Sequence, residues 1–107
     1  MATAATIPPI TDVMKALSDP VRWSIIQQMA ATDELACTTL QTTLPVAKST
    51  ISYHIKALVH AHLIHVRKEG RYYFYTLRRD MLTTVLSIMT TELIDGDPRP
   101  ERLASTA

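Results

Sequence analysis

The 107-residue chain has one cysteine, Cys37, and two glycines. A single cysteine excludes an intramolecular disulfide framework and any zinc site built on CxxC pairs. So few glycines leave no glycine-rich phosphate loop, and neither a nucleophile–base pair nor a carboxylate cluster stands out. The chain is therefore not expected to be an enzyme, and no cofactor is expected. No apolar run approaches the ~18 residues that span a membrane. The N-terminus, MATAATIPPI, has neither the basic start nor the apolar stretch of a secretory signal, so a cytoplasmic protein is expected. Internal repeats and low-complexity tracts are also missing.

What is present suits one soluble globular domain: 47% hydrophobic and 20% charged residues in a chain of ordinary domain length. The net charge of +1 conceals a segregation. Residues 48–79 hold seven basic residues against one acid, Glu69, and the remainder holds four basic and nine acidic residues. All four histidines, His54, His60, His62 and His65, lie in the basic segment. Such an asymmetry suits a polyanion-binding face, and equally a solvated surface that happens to be basic.

Periodicity divides the chain into an N-terminal arm (1–9), a folded domain (10–93) and a disordered tail (94–107). Ile10, Val13, Met14 and Leu17 recur at helical spacing. Asp19 before Pro20 reads as an N-cap followed by proline at the first helical position, opening a helix to about Ala31. Asp33 is expected to cap a third helix over 34–43. Pro45 ends it, and a fourth helix over 48–61 carries an Ile51, Ile55, Leu58, Val59 stripe. The short turn between these two reads as a helix-turn-helix. Two β-branched and aromatic runs, 63–67 and 72–77, flank Lys68-Glu69-Gly70-Arg71 and read as a β-hairpin. A closing helix over 79–93 carries Leu82, Val85, Leu86, Met89 and Leu93 on one face, too wide an apolar arc for a single partner. The expected fold is mainly α with a small β-hairpin: a winged helix-turn-helix of order α-α-α-α-β-β-α.

Three motifs carry a family resemblance. Ala16-Leu17-Ser18-Asp19-Pro20-Val21-Arg22 resembles the ALSDPTR opening of ArsR/SmtB-type bacterial repressors. Residues 49–58, STISYHIKAL, resemble that family's STVSRHLKxL recognition helix, and Lys68-Glu69-Gly70-Arg71-Tyr72-Tyr73-Phe74-Tyr75 resembles its REGRxxYY wing. The resemblance spans roughly 12–93. It implies a dimeric repressor that leaves its operator when an inducer binds, with the first and last helices forming the dimer interface.

The residues agree with that reading. The fourth helix offers Lys48, Ser49, Thr50, Ser52, Tyr53, His54 and Lys56 as small, hydrogen-bonding or cationic side chains for a major groove, and the hairpin tip offers Lys68 and Arg71 for phosphate or minor groove. The expected partner is an imperfect palindrome of double-stranded DNA. An ordinary amphipathic helix with a polar outer face, or a winged helix used for protein–protein contact, remain the alternatives. The Tyr72–Tyr75 run reads as sheet packing more than base stacking.

The pattern departs from the family at several places, one being the closing helix, where Asp80 and Glu92 stand but the histidine of the family's second metal site is missing. Ala47 stands where a Ser often caps the recognition helix, Tyr53 where Arg is frequent, and His62 where Gly usually ends the helix. At the family's paired-thiolate site, Ala36 and Thr38 replace both ligands and Cys37 lies between them. No metal is therefore expected, although a His60/His62/His65 cluster is a possible metal-responsive alternative. Val13, Met14, Leu17, Leu82, Val85, Leu86, Met89 and Leu93 are the candidate dimer contacts. Cys37, Trp23 and Met81 are the candidate sensor residues, around a site for a small apolar inducer.

Overall fold

The computed structural model describes residues 9–96. Its elements run α1 (Ile10–Leu17), α2 (Pro20–Ala30), β1 (Leu35–Ala36), α3 (Cys37–Thr43), α4 (Lys48–His60), β2 (Ile64–Glu69), β3 (Tyr72–Leu77) and α5 (Arg79–Met89). One π-helical turn, Thr90–Ile94, continues α5. The strands form an antiparallel sheet of order β1-β3-β2. This is a winged helix-turn-helix, with α3 and α4 as the helix pair and β2–β3 as the wing. Most of the arm and tail inferred from the sequence lies outside the described residues.

Local chemistry explains most boundaries. Asp19 caps α2: its carboxylate accepts from the amides of Val21 (2.7 Å) and Arg22 (3.1 Å). Those backbone bonds, the Arg22 amide first, hold the Asp19 carboxyl below the usual carboxylate range. Helix α4 ends in a Schellman motif. The Leu63 amide donates to the Leu58 carbonyl (3.1 Å) and the His62 amide to that of Val59 (2.9 Å), with His62 left-handed at φ 61°. Leu58 and Leu63, the hydrophobic pair that accompanies such a motif, are fully buried. In the wing, Glu69 pairs with Tyr72 across a two-residue turn. Gly70 takes φ 63° there and Arg71 keeps negative φ, as a turn of type II′ requires.

The start of α3 corrects the sequence reading. Asp33 is not its cap; Leu35 and Ala36 leave the helix and pair with Tyr75 and Phe74. The helix begins at Cys37 with no side-chain cap. Pairing with the free edge of β3 satisfies backbone groups that a longer helix would have left to Asp33, and it buries Leu35.

The core is one cluster centred on Val13, Ile25, Met29, Leu40, Ile51, Leu58 and Leu63. Val13 and Val85, both in the expected dimer set, lie in this core, so neither is available to a partner. Leu17, Leu82 and Met89 are half-buried against the same core. Met14, Leu86 and Leu93 remain exposed, the last two at 62% and 74%.

His62 is the only non-glycine residue with positive φ among the described residues. A left-handed conformation costs an L-residue roughly 1–2 kcal/mol, partly offset in glycine by the greater freedom of its unfolded chain. His62→Gly is therefore expected to raise stability by up to about 1 kcal/mol in urea unfolding. No change, or a loss, would show that the His62 side chain contributes a contact of its own.

Candidate nucleic-acid interface

The recognition-helix residues separate into two groups. Lys48, Ser49, Ser52, Tyr53 and Lys56 are exposed, Tyr53 at 64%, and Thr50 is half-buried. His54, expected among them, is 6% exposed and faces inward. Its position follows from Arg22, whose Nε donates to the Ala16 carbonyl (2.7 Å) and Nη2 to that of Lys15 (3.4 Å). The same guanidinium places Nη1 3.2 Å from His54 Nδ1. Arginine can only donate, so Nδ1 is the acceptor and the imidazole proton sits on Nε2. Tyr53 covers the His54 ring edge-on, with centroids 5.2 Å apart. His54 therefore orients α4 from behind and cannot read bases. The sequence signal that marked it, a polar residue on an otherwise polar segment, does not reveal a partner 32 positions away.

No side chain caps α4: Ala47 at its N-cap makes no side-chain hydrogen bond. The Thr50 amide donates to the Ala47 carbonyl (3.0 Å), so the amides of Lys48 and Ser49, at the positive end of the helix, are the ones that no side-chain cap takes.

The basic segment also sorts itself. Arg67 forks onto Glu34 (Nε–Oε2 2.9 Å, Nη2–Oε1 2.8 Å), reaches Glu69 (2.6 Å) and lies over the Phe74 ring. That bond from Arg67 holds the Glu34 carboxyl below its ordinary range. Arg78 pairs with Asp80 (2.9 Å), and Arg79 donates to the Ala30 carbonyl at the end of α2 (3.1 Å). Lys48, Lys56, Lys68 and Arg71 are all exposed. Among the described residues none of these four has an ion-pair partner; Lys68 lies over the Tyr73 ring. Three of them, Lys48, Lys56 and Arg71, line one groove between the outer face of α4 and the wing.

The candidate sensor residues do not come together. Cys37 lines that groove beside Tyr75, half-buried, and accepts a hydrogen bond from Gln41 Nε2 (3.6 Å). Burial and that thiol push the Tyr75 hydroxyl pKa up. Met81 belongs to the core, whereas Trp23 is half-exposed on α2. Among the described residues no three His, Cys, Asp or Glu side chains gather as metal ligands would, so His60, His62 and His65 do not form the cluster their spacing permits.

Residues 17–67 match a family described as a helix-turn-helix domain. The chain is 37% identical over 75 residues to YceK of Bacillus subtilis, named an uncharacterized HTH-type transcriptional regulator; the match covers 69% of this chain and 75% of that protein. It is 32% identical over 73 residues to the arsenical resistance operon repressor of Staphylococcus xylosus, covering 68% and 69% respectively. Among solved structures, an ArsR-like transcriptional regulator from Rhodococcus sp. RHA1 superposes with a TM-score of 0.73 at 28% identity, over 91% of this chain and 88% of that one.

The geometry separates support from contact. Arg22→Ala removes every guanidinium bond at once and strands the buried His54 Nδ1, so it is expected to cost about 2–4 kcal/mol in urea unfolding. Tyr53→Ala, on the outer face, is expected to stay within about 0.5–1 kcal/mol of the parent. Equal losses would mean that Tyr53 supports His54 as much as Arg22 does.

Proposed function

The chain belongs to the ArsR-type family of winged-helix transcriptional regulators, and from that premise we propose that it represses transcription as a homodimer seated on an imperfect palindrome. It is a DNA-binding transcriptional regulator. The observation that carries the finer reading is the division of its cations. Arg67, Arg78 and Arg79 are spent on the protein's own carboxylates and carbonyls, while Lys48, Lys56, Lys68 and Arg71, along α4 and the wing, have no ion-pair partner among the described residues. In this reading those four and the uncapped start of α4 take phosphates. Ser49, Thr50, Ser52 and Tyr53 meet base edges; Tyr53 can offer one hydrogen bond or cover a thymine methyl, but not the fork by which arginine grips guanine.

The dimer reading rests on Met14, Leu86, Leu93 and Ile94, apolar side chains of α1 and the C-terminal helix that a lone protomer leaves in water. Pairing through this face would set two recognition helices about one turn of DNA, ~34 Å, apart. Release from the operator is proposed to need no metal ion, because Ala36 and Thr38 stand where the family pattern has thiolates. No catalytic step is proposed.

Four cations from each protomer suit a complex that neutralises about 6–10 phosphates, for which affinity falls about 10³–10⁵-fold between ~50 and ~200 mM salt. Lys56→Ala and Arg71→Ala should each flatten that salt slope by about two per dimer. A flat response in the parent protein would favour a protein–protein role instead. Separately, Leu86→Lys is expected to halve the mass seen in sedimentation and to abolish tight operator binding; an unchanged mass would remove α5 from the interface.

A further inference from the structure

The groove between α4 and the wing is more apolar than phosphate contact requires. It is an open groove of about 580 Å³, bounded by α3, the outer face of α4 and the β2–β3 hairpin. Binding sites for small organic molecules typically enclose about 300–1,000 Å³ and combine an apolar lining with a few polar groups. Val59, Val66 and Tyr73, three of the large hydrophobic side chains that the fold leaves exposed, all line this groove. Lys48, Lys56 and Arg71 line it too, and among the described residues no carboxylate does. A sugar–phosphate strand would use the cations and leave the apolar wall unused. The Cys37 thiol at the α3 side accepts a hydrogen bond from Gln41 Nε2 (3.6 Å), and non-covalent binding in the groove makes no bond to it.

We propose that this groove binds a small aromatic carboxylate, its rings against Val59, Val66 and Tyr73 and its anionic group among Lys48, Lys56 and Arg71. Charge complementarity selects the anion, and the exposed apolar wall selects a flat hydrocarbon body over inorganic phosphate. A consequence follows that rests on the DNA reading above. The same cations cannot serve a carboxylate and a phosphate at once, so such a ligand lowers operator affinity by direct competition, with no rearrangement of the dimer needed.

The test uses the full chain and naphthoate as the probe, with methylnaphthalene as its uncharged counterpart and amide NMR shifts as the map. Saturable naphthoate binding is expected, with shifts concentrated on α4 and β2–β3 and affinity about tenfold or more above that of methylnaphthalene. Val66→Glu, which puts a like charge on an exposed strand position, should weaken naphthoate about tenfold or more. Its fold is checked by circular dichroism, and the map on the parent protein stands without it. Absence of saturable binding, shifts centred on α1 and α5, or equal binding of the uncharged compound would each overturn the proposal. In a second arm, naphthoate should lower operator affinity in proportion to groove occupancy. Occupancy of the groove with unchanged operator affinity would uphold the site and instead refute the assignment of Lys48, Lys56 and Arg71 to phosphates.

Discussion

One guanidinium ties the molecule's two working parts together. Arg22 gathers the last carbonyls of α1 and the inner face of α4 onto the first turn of α2. The orphan carbonyls at a helix end need donors, and a buried imidazole nitrogen needs one as well. A single planar fork supplies both, and a lysine, with its point charge and free rotation, would not hold the same geometry. Asp19, capping the same turn, fixes where Arg22 begins. The orientation of the recognition helix relative to α1 is thus set by hydrogen bonds with defined directions, in addition to apolar packing, which has none.

The second organising feature is the way charge is allocated. Arg67 sits mid-wing, where it holds Glu34 ahead of β1 against Glu69 near the wing tip. At half exposure such a network contributes little energy, but it neutralises a cation that would otherwise add to the external field. Within residues 48–79, the cations left outside lie on α4 and the wing tip. A formal charge close to neutral therefore coexists with a local basic face, and the acidic remainder gives little general affinity for other polyanions.

Much of this was legible from residues alone, because it depends on neighbours in sequence. Asp19-Pro20 opens α2, His62 ends α4 in a left-handed turn, Gly70 turns the wing, and Ile51, Ile55 and Leu58 of the α4 stripe face the core, although Val59 does not. What escaped depends on partners far along the chain. The two residues of β1 carry no strand signal and become a strand only because β3 presents a free edge opposite them. His54 looked like its polar neighbours until Arg22 arrived from α2. Val13 and Val85 lie on the same apolar stripes as Met14 and Leu86, but a stripe wider than one contact divides between the protomer's own core and its outer surface, and periodicity cannot draw that line. The groove beside α4 was likewise invisible, since its walls come from four elements.

The Schellman turn at Ala61–Leu63 leaves no slack between the recognition helix and the wing. A six-residue strand starting there carries its tip roughly 20 Å from the hinge, so a roll of α4 by ~10° would swing the tip by roughly 3 Å. Helix and wing therefore behave as the jaws of a caliper whose gap is set before any duplex arrives. A gauge of this kind responds to local groove width and stiffness, properties that vary with sequence at base pairs no side chain touches. Part of this regulator's choice among operators would then reside in the shape of the DNA between its contacts, measured by a joint three residues long.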